Sequence, residues 1–226
     1  MAGAALPGRL TWLLGELLEV VVETPHAKTL VFDVPGWPGH HAGQHVDVRL
    51  TAEDGYQAER SYSIASAPDN TRVALTVQRL EDGEVSPYLT EELRPGDKIE
   101  LRGPIGGYFV WEPADGGPLM LVAGGSGIVP LMAMIRTRAA AADDTETCLL
   151  YSARGQDDLI YRDELEHLSG DGLTVVYTLT DSHPPGWTSY ARRVDGEHLL
   201  QETCDRVPVQ HQLAHVSLRW VRSVRS

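Results

Sequence analysis

Arg60, Tyr62 and Ser63 stand close together in the run Arg60-Ser61-Tyr62-Ser63-Ile64-Ala65-Ser66-Ala67-Pro68. An arginine presents a rigid fork of donors that matches a phosphate, a tyrosine ring offers a face for stacking, and a serine hydroxyl with its backbone bonds the edge of a planar ring. In an extended strand alternate side chains share a face, which puts Arg60 and Tyr62 on one side and Ser61 and Ser63 on the other. An anionic, planar ligand such as a flavin nucleotide suits this set. A half-buried strand with a surface arginine and a packed tyrosine suits it too, and the segment alone does not choose.

A second group is Gly124-Gly125-Ser126-Gly127-Ile128-Val129-Pro130. It lies between the apolar run Leu119-Met120-Leu121-Val122 and residues Ile128, Leu131, Met132 and Ile135 at helical spacing. Glycines between a strand and a helix let the backbone approach a pyrophosphate, and the helix start supplies amide donors and a positive dipole. The spacing departs from the standard dinucleotide fingerprint. A third group, Gly83-Glu84-Val85-Ser86, leads into Pro87 and Tyr88-Leu89-Thr90-Glu91-Glu92-Leu93. Ser86 as N-cap and Pro87 at the first position predict a short helix, broken at Pro95-Gly96, whose start either holds a further phosphate or is simply capped. Gly103-Pro104-Ile105-Gly106-Gly107-Tyr108-Phe109 is a turn leading into aromatics.

The elements that carry these groups fall into two halves. From Trp12 to about Arg102, short β-like runs (17–22, 29–34, 45–50, 62–65, 73–77 and 98–101) alternate with Gly, Pro and acidic turns, as in a small antiparallel barrel or sandwich. The stretch from Trp111 to Pro118 has turn formers and no period, which places a boundary between domains 10–112 and 117–226. Beyond it, apolar strands at 119–122, 148–151 and 173–179 alternate with helices, the second through Leu159, Tyr161, Leu165 and Leu168. That alternation implies a parallel α/β sheet with right-handed crossovers.

Composition narrows the function classes. A formal net charge of −13 argues against nucleic acid and anionic membrane partners. Leu10, Trp12, Leu13, Leu14, Leu17 and Leu18 are interrupted by Gly15, Glu16 and Glu19, so neither a secretory signal nor a membrane span is expected, and the reading is cytoplasmic. Two cysteines, Cys148 and Cys204, are too few for a disulfide framework or a four-thiolate cluster, so redox chemistry would rest on an organic cofactor. His40-His41, and His211 with His215 at the spacing of one helix face, lack a third ligand, and no metal is expected.

The order Arg60-Ser61-Tyr62-Ser63, Gly83 to Ser86, Gly103-Pro104-Ile105-Gly106, then Gly124 to Gly127 with Pro130 resembles the ferredoxin–NADP reductase superfamily over about residues 10 to 200. It is most similar to the bacterial branch of stand-alone FAD-binding oxidoreductases without an iron–sulfur domain. The resemblance implies a Greek-key FAD-binding barrel followed by an NAD(P)-binding α/β domain. By the same resemblance Arg60 contacts the flavin phosphate, Tyr62 stacks on the ring, and Ser63 sits near its reactive edge. Gly83, Val85 and Ser86 cradle the FAD pyrophosphate; Gly124, Gly125, Ser126, Gly127 and Pro130 hold the pyridine nucleotide. Tyr62 and Ser63 are then the residues nearest the chemistry.

Ser152 and Arg154 stand where similar reductases bind a 2′-phosphate, which favours NADPH over NADH, although Asp157 and Asp158 follow and Arg154 also reads as a solvated helix-start residue. The implied activity passes hydride from the nucleotide to FAD, then electrons to a separate ferredoxin-like, haem or molybdenum protein. The alternatives are a catalytically disabled flavin- or nucleotide-binding relative and a free-flavin or ferric reductase.

The last part departs from the resemblance. Thr203-Cys204-Asp205-Arg206-Val207-Pro208 lacks the Cys-Gly-Pro of similar enzymes, and the tail after about Gln201 turns basic. The expectation is an atypical or truncated end, as from a shifted reading frame, with a strand around Val207 and a helix from Leu213 to Val221 filling the core.

Overall fold

The structure is a computed structural model in which residues 10–69, 71–194 and 213–215 are described. Its first half is a six-stranded antiparallel sheet of β1 (Trp12–Thr24), β2 (Ala27–Asp33), β3 (His45–Thr51), β4 (Gln57–Ser63), β5 (Arg72–Gln78) and β6 (Lys98–Ile105). The strand order β4-β3-β6-β1-β2-β5 separates β2 from β3 and β5 from β6, the winding of a Greek key. Val46 and Val48 of β3, and Val73, Leu75 and Val77 of β5, are buried at alternate positions, so one face of each strand fills the barrel. A bridge from Ile64 to Leu75 joins the chain just past β4 to β5 and brings the two edge strands together, leaving less open edge.

Two local expectations change here. β4 begins at Gln57 rather than Tyr62: its early residues are polar and mostly exposed, and only pairing with β3 reveals them as strand. The short helix after Pro87 is a π-type turn, Tyr88–Glu92, with no side-chain cap. The Ser86 hydroxyl instead accepts the Leu80 amide at 3.0 Å, closing the preceding loop.

The second half contains β7 (Leu119–Gly124), α1 (Ile128–Ala140), β8 (Thr147–Ala153), α2 (Arg162–Leu168), β9 (Leu173–Leu179) and β10 (Leu213–His215). These strands form a parallel sheet in the order β10-β7-β8-β9. β8 is buried along nearly its whole length, as a central strand covered on both faces must be. The helix expected through Leu159 starts only at Arg162, because Tyr161 adopts a left-handed backbone with φ of 61°. Residues 213–215 form a strand against β7 where a helix was expected, so the helical spacing of His211 and His215 does not apply to His215. Val207, Cys204 and His211 lie outside the described residues.

One core fills the barrel. The other joins the two halves, with Ala27, Ala42, Ala65, Ala74 and Trp111 packed among residues of β7, β8, β9 and α1.

Candidate active site

On β4 the register sets Arg60 opposite Val48 and Tyr62 opposite Val46, both fully buried, and Ser61 opposite Asp47. Arg60 and Tyr62 therefore share one face. Ser61 turns to the other, where its hydroxyl donates to Asp47 at 2.7 Å beside an Arg102 bond of 2.8 Å to the same carboxylate. A ligand on the Arg60 face can meet Ser61 only through backbone. Tyr62 is half-buried against the barrel core, and burial pushes its phenol up to about 12, which keeps the ring neutral. Ser63 ends the strand opposite His45, with no hydrogen-bond partner for its hydroxyl among the described residues.

Arg60 meets the Gly83–Ser86 loop directly. Its Nη2 donates to Glu84 Oε2 at 3.0 Å and its Nη1 to the Glu59 carbonyl at 2.7 Å, while the Tyr56 hydroxyl donates to Glu84 Oε1 at 3.0 Å. Two separated sequence groups thus converge on one guanidinium, and a carboxylate occupies the fork that a phosphate would take. Both side chains are about half exposed, so the pair contributes no more than about 1 kcal/mol and yields to a stronger anion. Within the loop Val85 is buried, and a Cβ at Gly83 would lie 2.8 Å from Ser86 Oγ, so packing alone explains this glycine. With the Ser86 oxygen engaged by Leu80, the loop offers a phosphate mainly backbone.

The nucleotide side is built differently. β7 is the strand at which the sheet reverses, with β8 and β9 on one side and β10 on the other, and ligands of open α/β sheets bind outside the carboxyl end at such a point. Gly124 ends β7 there, and Gly125 has φ of 52°. A Cβ at Gly124 or Gly125 would touch nothing within 4 Å, so packing does not require glycine at either. Bare backbone facing open space is what a pyrophosphate needs.

The helix α1 begins just beyond Gly127 with no side-chain cap and no acidic residue in its first turn, which leaves its positive end unneutralised. Ser126 is exposed in the same turn, and Pro130 is buried in the first turn of α1. Ser152 lies beside Gly124 on β8, and Arg154 follows, donating from Nη2 to Asp158 Oδ1 at 3.0 Å. The Gly125–Gly127 turn lies against β5 of the barrel, so the glycine loop meets the first half of the chain. Both surfaces suit the groups the sequence implies: a cation with an adjacent ring on one side, a glycine-lined helix start on the other.

Among the described residues no group of three or more His, Cys, Asp or Glu side chains could hold a metal ion. His40 is buried between two partners: its Nδ1 accepts from Trp37 Nε1 at 3.3 Å, which assigns the proton to Nε2, 3.2 Å from the Ser66 carbonyl. Burial lowers its pKa and favours the neutral ring. Sequence reasoning missed Glu84 and Tyr56. An acidic residue inside a loop expected to bind phosphate was the available signal.

These features define a class, the oxidoreductases that join an FAD-binding barrel to a nucleotide-binding α/β unit. Residues 16–110 match the oxidoreductase FAD-binding domain and residues 121–217 the oxidoreductase NAD-binding domain. The chain is 40% identical to ferredoxin–NADP reductase B of Sorangium cellulosum (strain So ce56), over 75% of this chain and 66% of that protein. It is 35% identical to the glycine betaine monooxygenase reductase subunit of Chromohalobacter salexigens, over 70% and 44% respectively. The crystal structure of an Amycolatopsis cytochrome P450 reductase superposes with a TM-score of 0.70 at 28% identity, over 81% of this chain and 56% of that one.

The chain spans less than two thirds of the length of each of these relatives. It belongs to the ferredoxin–NADP reductase family, and its cofactors are FAD and NAD(P)H. The family match also runs to residue 217, past Gln201, where the motif resemblance stops. No helix among the described residues is long and apolar enough to cross a membrane.

Proposed function

We propose that this chain is an NADPH-dependent, FAD-containing reductase that passes electrons onward to a separate ferredoxin-like, haem or molybdenum protein. The observation that carries the reading is the contact between the Gly125–Gly127 turn and β5, which joins the proposed nucleotide loop to the barrel. The relatives' names support the acceptor class: one is a ferredoxin–NADP reductase, another the reductase subunit of a monooxygenase. We divide the chain at 113–116, between the barrel and the α/β unit.

Bound FAD supplies the chemistry of taking a hydride and releasing electrons singly. The chain's residues position it. Arg60 binds a flavin phosphate after releasing Glu84. Tyr62 stacks as a neutral ring, and the Ser63 hydroxyl bonds the ring edge. Backbone of Gly83, Val85 and Ser86 lines the FAD pyrophosphate. Gly124, Gly125, Ser126 and Gly127 accept the nucleotide's pyrophosphate, with Pro130 fixing the first turn behind them. Ser152 and Arg154 take the 2′-phosphate, for which Arg154 must exchange Asp158. With both groups bound, the joined halves would exclude water and hold the near-contact that hydride transfer requires.

The test is the visible spectrum of the purified chain with FAD. A yellow protein, bleached by NADPH without oxygen, supports the proposal. A chain that cannot be loaded with flavin refutes it.

A further inference from the structure

We infer that Arg136 is a positioning residue for hydride transfer, holding the segment after the flavin strand from the helix that starts at the nucleotide loop. The inference rests on the proposed function and adds a role that none of the motifs assigns.

Arg136 lies in α1, whose N-terminus is the glycine loop. Glu164 of α2 fixes the guanidinium through two bonds, Nε to Oε1 at 2.8 Å and Nη2 to Oε2 at 2.6 Å. The remaining arm, Nη1, donates to the Ala65 carbonyl at 2.7 Å, across the junction of the two halves. Ala65 is fully buried and follows Ser63 by two positions; its amide donates to the Ala74 carbonyl at 2.7 Å. The next carbonyl, that of Ser66, is bound by His40. The chain just beyond the flavin strand is thus gripped from β5, from the barrel loop and from the nucleotide helix.

A second bridge runs beside the first. Tyr161, whose ring lies under Arg136 at 4.8 Å, reaches the barrel through its side chain. Its hydroxyl meets Thr76, which is 2.7 Å from Thr29, and Thr29 donates to Glu23 at 2.6 Å.

The apolar core shared by the halves already supplies adhesion. Dispersion and burial are non-directional, however, and leave sliding soft. Directional, charge-assisted bonds at fixed atoms set the relative position. A misplacement of about 1 Å in a reacting pair costs on the order of 100-fold in rate. Removing the clamp should therefore slow transfer without weakening either cofactor.

The experiment uses the full chain loaded with FAD, comparing wild type with Arg136→Met, Arg136→Lys and Glu164→Gln. Four quantities are read: FAD affinity, NADPH affinity, the bleaching rate at saturating NADPH, and amide hydrogen exchange over residues 64–67. The clamp predicts bleaching slowed at least tenfold in Arg136→Met, both affinities within threefold of wild type, faster exchange at 64–67 with the barrel strands unchanged, and partial recovery in Arg136→Lys. Unchanged bleaching, or a rate loss matched by equal losses in affinity, overturns it. If Arg136→Met does not fold, Arg136→Lys and Glu164→Gln carry the same readings. If wild type loads FAD but does not bleach, the proposed function fails, and exchange at 64–67 alone decides the clamp.

Discussion

The two halves of the molecule meet anions in opposite ways. In the barrel the proposed binding group is a side chain, Arg60, and a carboxylate of the protein already sits on it. In the α/β unit the proposed binding groups are backbone amides at a helix start, with open space where glycine side chains are missing and no acidic residue in the first turn. On this proposal the first site exchanges one anion for another, while the second has no acidic side chain in its first helical turn to displace.

The contrast is broken most severely at the backbone site. Gly125→Val forces a β-branched residue toward φ of 52°, a conformation costly for any residue with a Cβ. The expected result is a rise of about 100-fold in the NADPH KM with FAD content unchanged, and a melting temperature lowered by about 2–8 °C from the backbone strain. Arg60→Ala removes the cation from the other site. Charge-assisted bonds contribute about 1.5–3 kcal/mol, so FAD affinity should fall about 10- to 100-fold by flavin titration, again without loss of fold.

Arg154→Ala should lower the preference for NADPH over NADH about tenfold in the ratio of kcat/KM values, since Arg154 is exposed and reaches only one ligand group. Glu84→Gln removes the competitor. The exposed pair is worth no more than about 1 kcal/mol, so FAD should bind up to about fivefold tighter; weaker binding would show Glu84 to be a contact rather than a rival.

The smallest effect concerns the junction. Burial raises the Glu23 carboxyl above its ordinary 4.5, so the folded chain holds that proton more tightly than the unfolded one. Its contribution to stability is fullest below 4.5 and declines as pH rises through the raised value. Glu23→Gln should flatten the fall in denaturant midpoint between about pH 4 and about pH 7.

What could be read from the chain was local. Alternating burial along β3 and the glycine loop before α1 depend on neighbours in sequence, and each appears where its pattern indicates. What escaped was set by distant partners. Gln57 and Glu59 carry no strand signal until β3 pairs with them, and Ser61 leaves the ligand face because Asp47 and Arg102 wait on the other. Ser86 looked like a helix cap, but Leu80 claims its oxygen. The left-handed turn at Tyr161 delays the start of α2, and the Tyr161 hydroxyl meets Thr76, a partner far back in the chain. Residues 213–215 became strand because the edge of β7 was open to them, an influence no helical period could disclose.

The most direct measurement is anaerobic mixing of the FAD-loaded full chain with NADPH and, separately, NADH, followed by the flavin's visible absorbance. Bleaching by NADPH, half-saturating at lower concentration than with NADH, is the expected result. A chain that holds FAD and binds NADPH yet stays yellow would contradict the joining of the two surfaces into one hydride-transfer site.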